Sequence, residues 1–195
     1  MRVVLASRNA GKLAELQTLL APTGLVLESQ DQHQVPSAEE TGATFVENAL
    51  IKARAVAVAT GLPAIADDSG LVVPALDGAP GIYSARYAGT HGDDAANNAK
   101  LIADLQTIND RQAYFYCAMV FLKHATDPTP IIATAAWRGE IIDSPKGENG
   151  FGYDPHFWLA DLGKSSAELA SDVKNKLSHR GQATVRLLSE LQVLP

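Results

Sequence analysis

Over its first sixty-six residues the chain alternates short apolar runs with helix-spaced leucines and alanines, and this alternation restricts it to few folds. Arg2 to Ala6 is β-branched, apolar and stopped by polar residues, the signature of a short buried strand. Leu13, Leu16, Leu19 and Leu20 then share one helix face, and Pro22 and Gly24 close that helix. Leu25 to Leu27 reads as a second strand, Gln30 to Thr44 as a polar loop, and Thr44 to Thr60 as a long helix with Gly61 and Pro63 beyond its end. A third strand, Leu62 to Ala66, leads into Asp67-Asp68-Ser69-Gly70. The second half differs. After a structured Gly- and Pro-rich stretch from Asp77 to Gly92 and a helix over 94–107, two strands near 112–123 and 130–142 follow one another directly. A glycine cluster, Gly147 to Gly152, precedes a last helix over about 180–192. Strand–helix alternation followed by neighbouring strands predicts an α/β protein with a mixed sheet.

Composition removes several function classes. The one cysteine, Cys117, excludes a disulfide framework and a Cys-based zinc site. No apolar run reaches the ~18 residues of a membrane span, and the apolar N-terminal stretch is too brief for a signal peptide. With 22 acidic and 16 basic residues, a net charge of −6 makes the chain a poor partner for duplex DNA, whose phosphates demand many Lys and Arg. At 195 residues it needs no covalent staple for its core. The expectation is one cytoplasmic domain over 1–195 that engages neither nucleic acid nor membrane.

Four segments carry chemistry. Ser7-Arg8-Asn9-Ala10-Gly11-Lys12 joins the first strand to the first helix, where free N–H groups and a positive dipole end suit an anion. It is not a Walker A loop, because Ala6 and Leu13 stand where Gly and Ser or Thr would be needed, and a plain capping turn with a solvated lysine is the alternative. Asp67 and Asp68 end an apolar strand and must face opposite ways. One could hold a metal while the other orients it or caps the turn, and oxygen ligands without nearby His or Cys favour Mg²⁺. The alternative is an Asx turn before Gly70. Glu39-Glu40 could supply a second carboxylate or be solvated. Lys52 falls on the apolar stripe of Phe45, Ala49 and Val56, so it either snorkels to the rim or points into a site needing positive charge.

Gly150-Phe151-Gly152-Tyr153-Asp154-Pro155 sets two aromatics among small residues, followed by an acceptor at Asp154. That suits a nucleobase cradle, or a tight turn with core aromatics. Ser178 is a natural N-cap for the last helix, and His179 and Arg180 follow at a positive helix end that disfavours cations, which hints at an anion or carbonyl to be bound; Lys174 could join them. His33, His91, His124 and His156 show no ligand spacing and read as surface or loop residues.

Together, in this order, these segments, with Ser37 to Gly42 and Gly78 to Tyr87, resemble the non-canonical purine nucleoside triphosphate pyrophosphatases, the inosine/xanthosine triphosphate pyrophosphatase family. The resemblance runs from Val3 to the last helix. It implies a long central mixed β-sheet flanked by helices, two lobes around a substrate cleft, and a homodimer. It also implies Mg²⁺-dependent cleavage of ITP, dITP and XTP to the monophosphate and pyrophosphate. Carried over by position, Ser7, Arg8, Asn9, Ala10, Gly11 and Lys12 hold the triphosphate, although many members have glycine where Arg8 stands. Glu39 and Asp68 bind the metal, Asp68 is the general base, and Lys52 and Ser69 touch substrate. Phe151, Gly152, Tyr153, Asp154, Lys174, His179 and Arg180 serve the base and ribose, with His179 or Arg180 meeting the six-carbonyl that adenine lacks. Two rivals remain: a nucleotide-binding regulator without hydrolysis, and a pyrophosphatase for modified pyrimidine or methylated nucleotides.

Overall fold

The long central helix shows how local sequence sets its own limits. Thr44, in extended conformation, accepts the Glu47 N–H at its side chain, and Glu47 Oε2 accepts the N–H of Ala43 and the Thr44 hydroxyl, both at 2.9 Å. At the other end Gly61 adopts φ 66° and returns its N–H to Ala57. The helix between these caps is Phe45–Thr60, as its periodicity predicts.

The computed structural model describes residues 1–192 except Asn9, Pro22 and Thr23. In chain order the elements are β1 (Arg2–Leu5), α1 (Ala10–Leu20), β2 (Val26–Ser29), α2 (Phe45–Thr60), β3 (Ala64–Val72), α3 (Asp94–Asp104), β4 (Gln112–Leu122), β5 (Ile131–Ile141), β6 (Phe157–Leu159), β7 (Lys164–Ser165), α4 (Ser171–Leu177) and α5 (His179–Gln192). One seven-stranded sheet runs β2-β1-β3-β4-β5-β6-β7. β1 pairs parallel with β2 and β3, whereas β6 pairs antiparallel with β5 and β7, so the sheet is mixed as expected.

Three expectations change. β3 does not stop at Ala66 but continues through the acidic pair to Val72, so Asp67 and Asp68 lie within a strand and not in an Asx turn at its end. The stretch read as a loop after Gln30 begins with a 3₁₀ turn, Gln30–His33, closed by a capping box between Ser29 and Gln32. His156, read as a surface or loop residue, is buried and pairs through Nδ1 with the Ile142 carbonyl at 2.8 Å.

The chain forms two compact units. The first comprises Met1–Asp68, Cys117–Ala135 and the residues from Arg180 on; the second comprises Ser69–Tyr116 and Ala136–His179. In the first unit each sheet face has its own core. Val3, Leu5, Ile65, Cys117 and Met119 meet Leu16 and Leu20 of α1 and Ala183 and Leu187 of α5. On the opposite face Val4, Ala6, Ala64, Ala66 and Val120 meet Ala49, Ala53, Val56 and Ala57 of α2. Each fully buried Leu or Val there contributes roughly 1.5–3 kcal/mol over its exposed state. The second unit has a core of Leu71, Leu101, Leu105, Phe115, Trp137 and Phe157. Among the described residues no helix is long and apolar enough to cross a membrane.

Candidate active site

Strand alternation divides the acidic pair between the two faces of the first unit. Ile65 and Asp67 look toward α1 and α5, while Ala64, Ala66 and Asp68 look toward α2. On the first face Asp67, 1% exposed, accepts Lys12 Nζ at 2.9 Å and Arg180 Nε at 3.2 Å, both on Oδ2. Its Oδ1 is buried and has no hydrogen-bond partner among the described residues. Burial by itself would raise this carboxyl, but Lys12, Arg180 and Lys52 outweigh it and hold Asp67 well below the usual carboxylate range. Next to these charges, burial pushes the Cys117 thiol up to about 12, and Asp67 adds to the shift.

On the second face Asp68 is held by α2. Lys52 Nζ donates to Asp68 Oδ1 at 2.9 Å and to Glu40 Oε1 at 2.8 Å. Asn48, one turn earlier, donates from Nδ2 to Asp68 Oδ2 at 3.4 Å. Burial, reinforced by Glu40 and Asp67, raises the Asp68 carboxyl above its ordinary value despite Lys52. Lys52 is itself pushed up: burial opposes its charge, but Asp68, Asp67 and Glu40 together prevail. A carboxylate in this condition can accept a proton from water, orient it, or ligate a hard cation.

The other residues singled out in the sequence fall as follows. Lys52 does not snorkel; it points into the site. Glu39 is exposed, and it is its neighbour Glu40 that meets Lys52. Ser7 and Arg8 precede α1, Ala10 and Gly11 open it, and Asn9 lies outside the described residues. Arg8 forms an exposed ion pair with Asp31 at 3.0 Å. Arg180, which the resemblance assigns to the base side, donates from Nε to the Asp67 oxygen used by Lys12. Ser69 lies within β3, half-buried.

The second unit gathers the glycine-loop residues. Asp154 Oδ2 accepts the Phe151 N–H at 2.9 Å and the Lys174 ammonium, and Oδ1 accepts the Ser166 hydroxyl at 2.6 Å. Asp154 is thus an acceptor, as the sequence suggested, and the groups it accepts from fasten the loop. Gly150 is required here, because it has φ +79° and a Cβ would stand 2.2 Å from Asp154 Oδ2. Phe151 is 59% exposed, and Lys174 Nζ lies 5.2 Å from its ring centre, so one aromatic does offer an open face. Tyr153 does not: its ring is buried and its hydroxyl donates to the Ser84 carbonyl at 2.8 Å. Gly152 donates its N–H to Asp94, and its carbonyl accepts Asn98. His179 stacks on Phe115 with ring centres 4.9 Å apart. Ser178, in extended conformation, sits between α4 and α5 at the N-cap position.

Sequence reasoning passed over Asn48. A signal existed: Asn48 lies three residues after Phe45 and four before Lys52, a polar residue on the stripe that packs against the sheet.

Fold and site define an α/β protein whose interior strand β3 carries two carboxylates, one held by Lys12 and Arg180 and the other by Lys52, cations of the kind that bind phosphorylated ligands. The model of the Ham1 family matches residues 3–190, and the chain belongs to that family. It is 54% identical to a dITP/XTP pyrophosphatase of Nitrosomonas europaea, over 100% of this chain and 97% of that one. It is 55% identical to a protein of the same name from Ralstonia nicotianae, over 98% and 97%. A Ham1 protein of Coxiella burnetii superposes with a TM-score of 0.95 at 46% identity, covering both chains fully. The Ham1 protein of Staphylococcus aureus gives 0.89 at 40% identity over 98% of each.

Proposed function

We propose that this protein hydrolyses dITP, ITP and XTP to the monophosphate and pyrophosphate, removing deaminated purines from the nucleotide pool. The observation that carries the reading is Asp68, a carboxylate raised above its ordinary value and gripped by Lys52, in a chain 54% identical over its full length to a protein named for this activity.

Mg²⁺ is part of the reading, and the donor set fits it. Asp68 and the acidic pair Glu39-Glu40 supply only oxygens, and Mg²⁺ asks for one or two carboxylates, with substrate phosphates and water completing its shell. Among the described residues no group of three or more His, Cys, Asp or Glu side chains is placed to hold a metal ion, so the protein's share of the shell would be one or two carboxylates. Asp68 and Glu39 would hold it, and a bound Mg²⁺ would draw charge from the phosphate oxygens.

The chain's own groups perform the rest. Lys12 and the N–H groups opening α1 bind the phosphates. Asp68 orients a water whose oxygen attacks the α-phosphorus in line; the water's proton passes to Asp68 as the bond to the pyrophosphate oxygen breaks. Lys52 steadies the Asp68 carboxylate and the charge spread over the transferred group. On the base side Phe151 offers a stacking face, and His179 reads the purine six-carbonyl; an adenine amino group there would face a donor with a donor. The same reading makes 1–195 a single catalytic domain and the protein a cytoplasmic homodimer that binds no nucleic acid, on the strength of the family resemblance and the net charge of −6.

Pyrophosphate release from dITP, XTP, dGTP, dATP and a modified pyrimidine triphosphate in Mg²⁺ tests this. The expected outcome is release from dITP and XTP, exceeding the others at least tenfold in kcat/KM. Binding of ITP without release would establish a regulator instead, and preference for the pyrimidine would establish the other pyrophosphatase class.

A further inference from the structure

Asn48 is 1% exposed in the first two turns of α2, among alanines and valines, where an amide is costly unless both its ends are bonded. Both are. Its Oδ1 accepts the Gly42 N–H at 2.8 Å, which fixes the orientation of the amide and leaves Nδ2 to donate to Asp68 Oδ2. Lys52, one helical turn further on, takes the other Asp68 oxygen and also Glu40. Two successive turns of α2 therefore divide the two oxygens of Asp68 between them, and both reach the acidic segment as well: Asn48 through Gly42, Lys52 through Glu40.

Gly42 has no spare room. A Cβ there would lie 2.6 Å from Glu47 Cβ and 2.8 Å from Asn48 Oδ1, so the backbone following Glu39-Glu40 approaches the helix as closely as only glycine allows. The capping bonds of Thr44 and Glu47 secure the residues just after it.

We infer that Asn48 is a positioning residue that sets the spacing between the Glu39-Glu40 segment and Asp68, so that carboxylates 28 and 29 residues apart in the chain present themselves to one divalent cation. The inference rests on the pyrophosphatase reading of the same site. Its chemistry is that of a hydrogen-bonded outer support of a metal ligand, whose loss characteristically weakens metal affinity by about 10- to 100-fold.

The test is a Mn²⁺ titration of the nucleotide-free protein followed by electron paramagnetic resonance, with wild type, Asn48→Leu and Thr44→Ala side by side. Thr44→Ala removes the α2 cap without touching Asn48 or Asp68, and so lowers Tm alone. Asn48→Leu keeps the branched shape and number of heavy atoms, though it is somewhat larger, and loses both bonds; it weakens Mn²⁺ binding about 10- to 100-fold and raises the Mg²⁺ concentration for half-maximal turnover, while KM for dITP at saturating Mg²⁺ stays within twofold. Mn²⁺ affinity within twofold of wild type in Asn48→Leu overturns the inference. So does a loss of affinity that simply tracks Tm in both variants. If Asn48→Leu does not fold, Asn48→Ser and Gly42→Ala carry the same comparison. Wild-type protein that binds Mn²⁺ but releases no pyrophosphate defeats the pyrophosphatase reading and leaves the Asn48 comparison readable; wild-type protein that binds no Mn²⁺ without nucleotide overturns the inference, and pyrophosphate release then judges the pyrophosphatase reading by itself.

Discussion

Asp67 and Asp68 are adjacent on one strand and chemically identical, yet the two faces of the sheet make them opposites. Asp67 is sealed between Lys12 and Arg180, and the surrounding positive charge holds its carboxyl far down. Asp68 answers to one lysine shared with Glu40, and burial with neighbouring acids pushes its carboxyl up. The lesson is that partner count, and not burial alone, decides what a buried acid does. An over-compensated carboxylate is a structural anchor that holds cations in place, whereas an under-compensated one keeps an appetite for a proton or a metal.

Substitutions can separate these roles. The largest effect belongs to Asp68→Asn, which removes the proton acceptor of the proposed mechanism while keeping shape; kcat for dITP is expected to fall about 10³-fold, with Tm nearly unchanged. Loss of activity at Asp67 but not at Asp68 would invert the comparison. Next is Asp67→Asn, which leaves Lys12 and Arg180 facing an uncharged amide. Breaking a buried ion pair from one side costs about 3 kcal/mol or more, or about 10 °C in Tm for a chain this long. Differential scanning calorimetry of the two variants together measures the contrast directly.

The smallest effect concerns acid. The folded-state value of Asp67 lies below its unfolded value, so its ionised form contributes stability that is complete above the unfolded value, about pH 4, and is lost as pH falls through the folded one. Asp68 shifts the other way, so its contribution is present at low pH and is lost as pH rises through its folded value. In chelator-treated protein, urea unfolding from pH 6 down to pH 3 should therefore be steeper in pH for wild type than for Asp67→Asn, and no less steep for Asp68→Asn. An unchanged slope in Asp67→Asn would show that Asp67 is not the anchor of its face.

Much of this was legible beforehand for simple reasons. A strand has a period of two, so neighbouring acids had to part, and a lysine on the apolar stripe of a capped helix had to snorkel or enter a site. The capping signals Thr44 and Gly61 bounded α2 without help from any other part of the chain. What misled was local pattern without context. Asp67 to Gly70 carries turn-forming residues, yet the strand runs on to Val72 because the sheet takes up its backbone. Tyr153 and Phe151 occupy equivalent places in one glycine loop, and only packing makes one a core residue and the other an exposed ring. Asp154 reads as an acceptor, but of its three partners, Phe151, Ser166 and Lys174, two come from elsewhere in the chain and no local pattern names them.

The sequence by itself determined the α/β class, the ends of α2, the opposite facing of the two acids and membership of the family, because each follows from short-range periodicity, capping or an ordered set of motifs. Tertiary structure alone decided the partners. Lys12 and Arg180 reach Asp67 across 55 and 113 residues, and no local rule says which cation will meet which oxygen. That choice comes from the order of strands in the sheet and the helices laid on each face, which set the local balance of charge, and that balance holds the carboxyl of one aspartate down and pushes its neighbour's up.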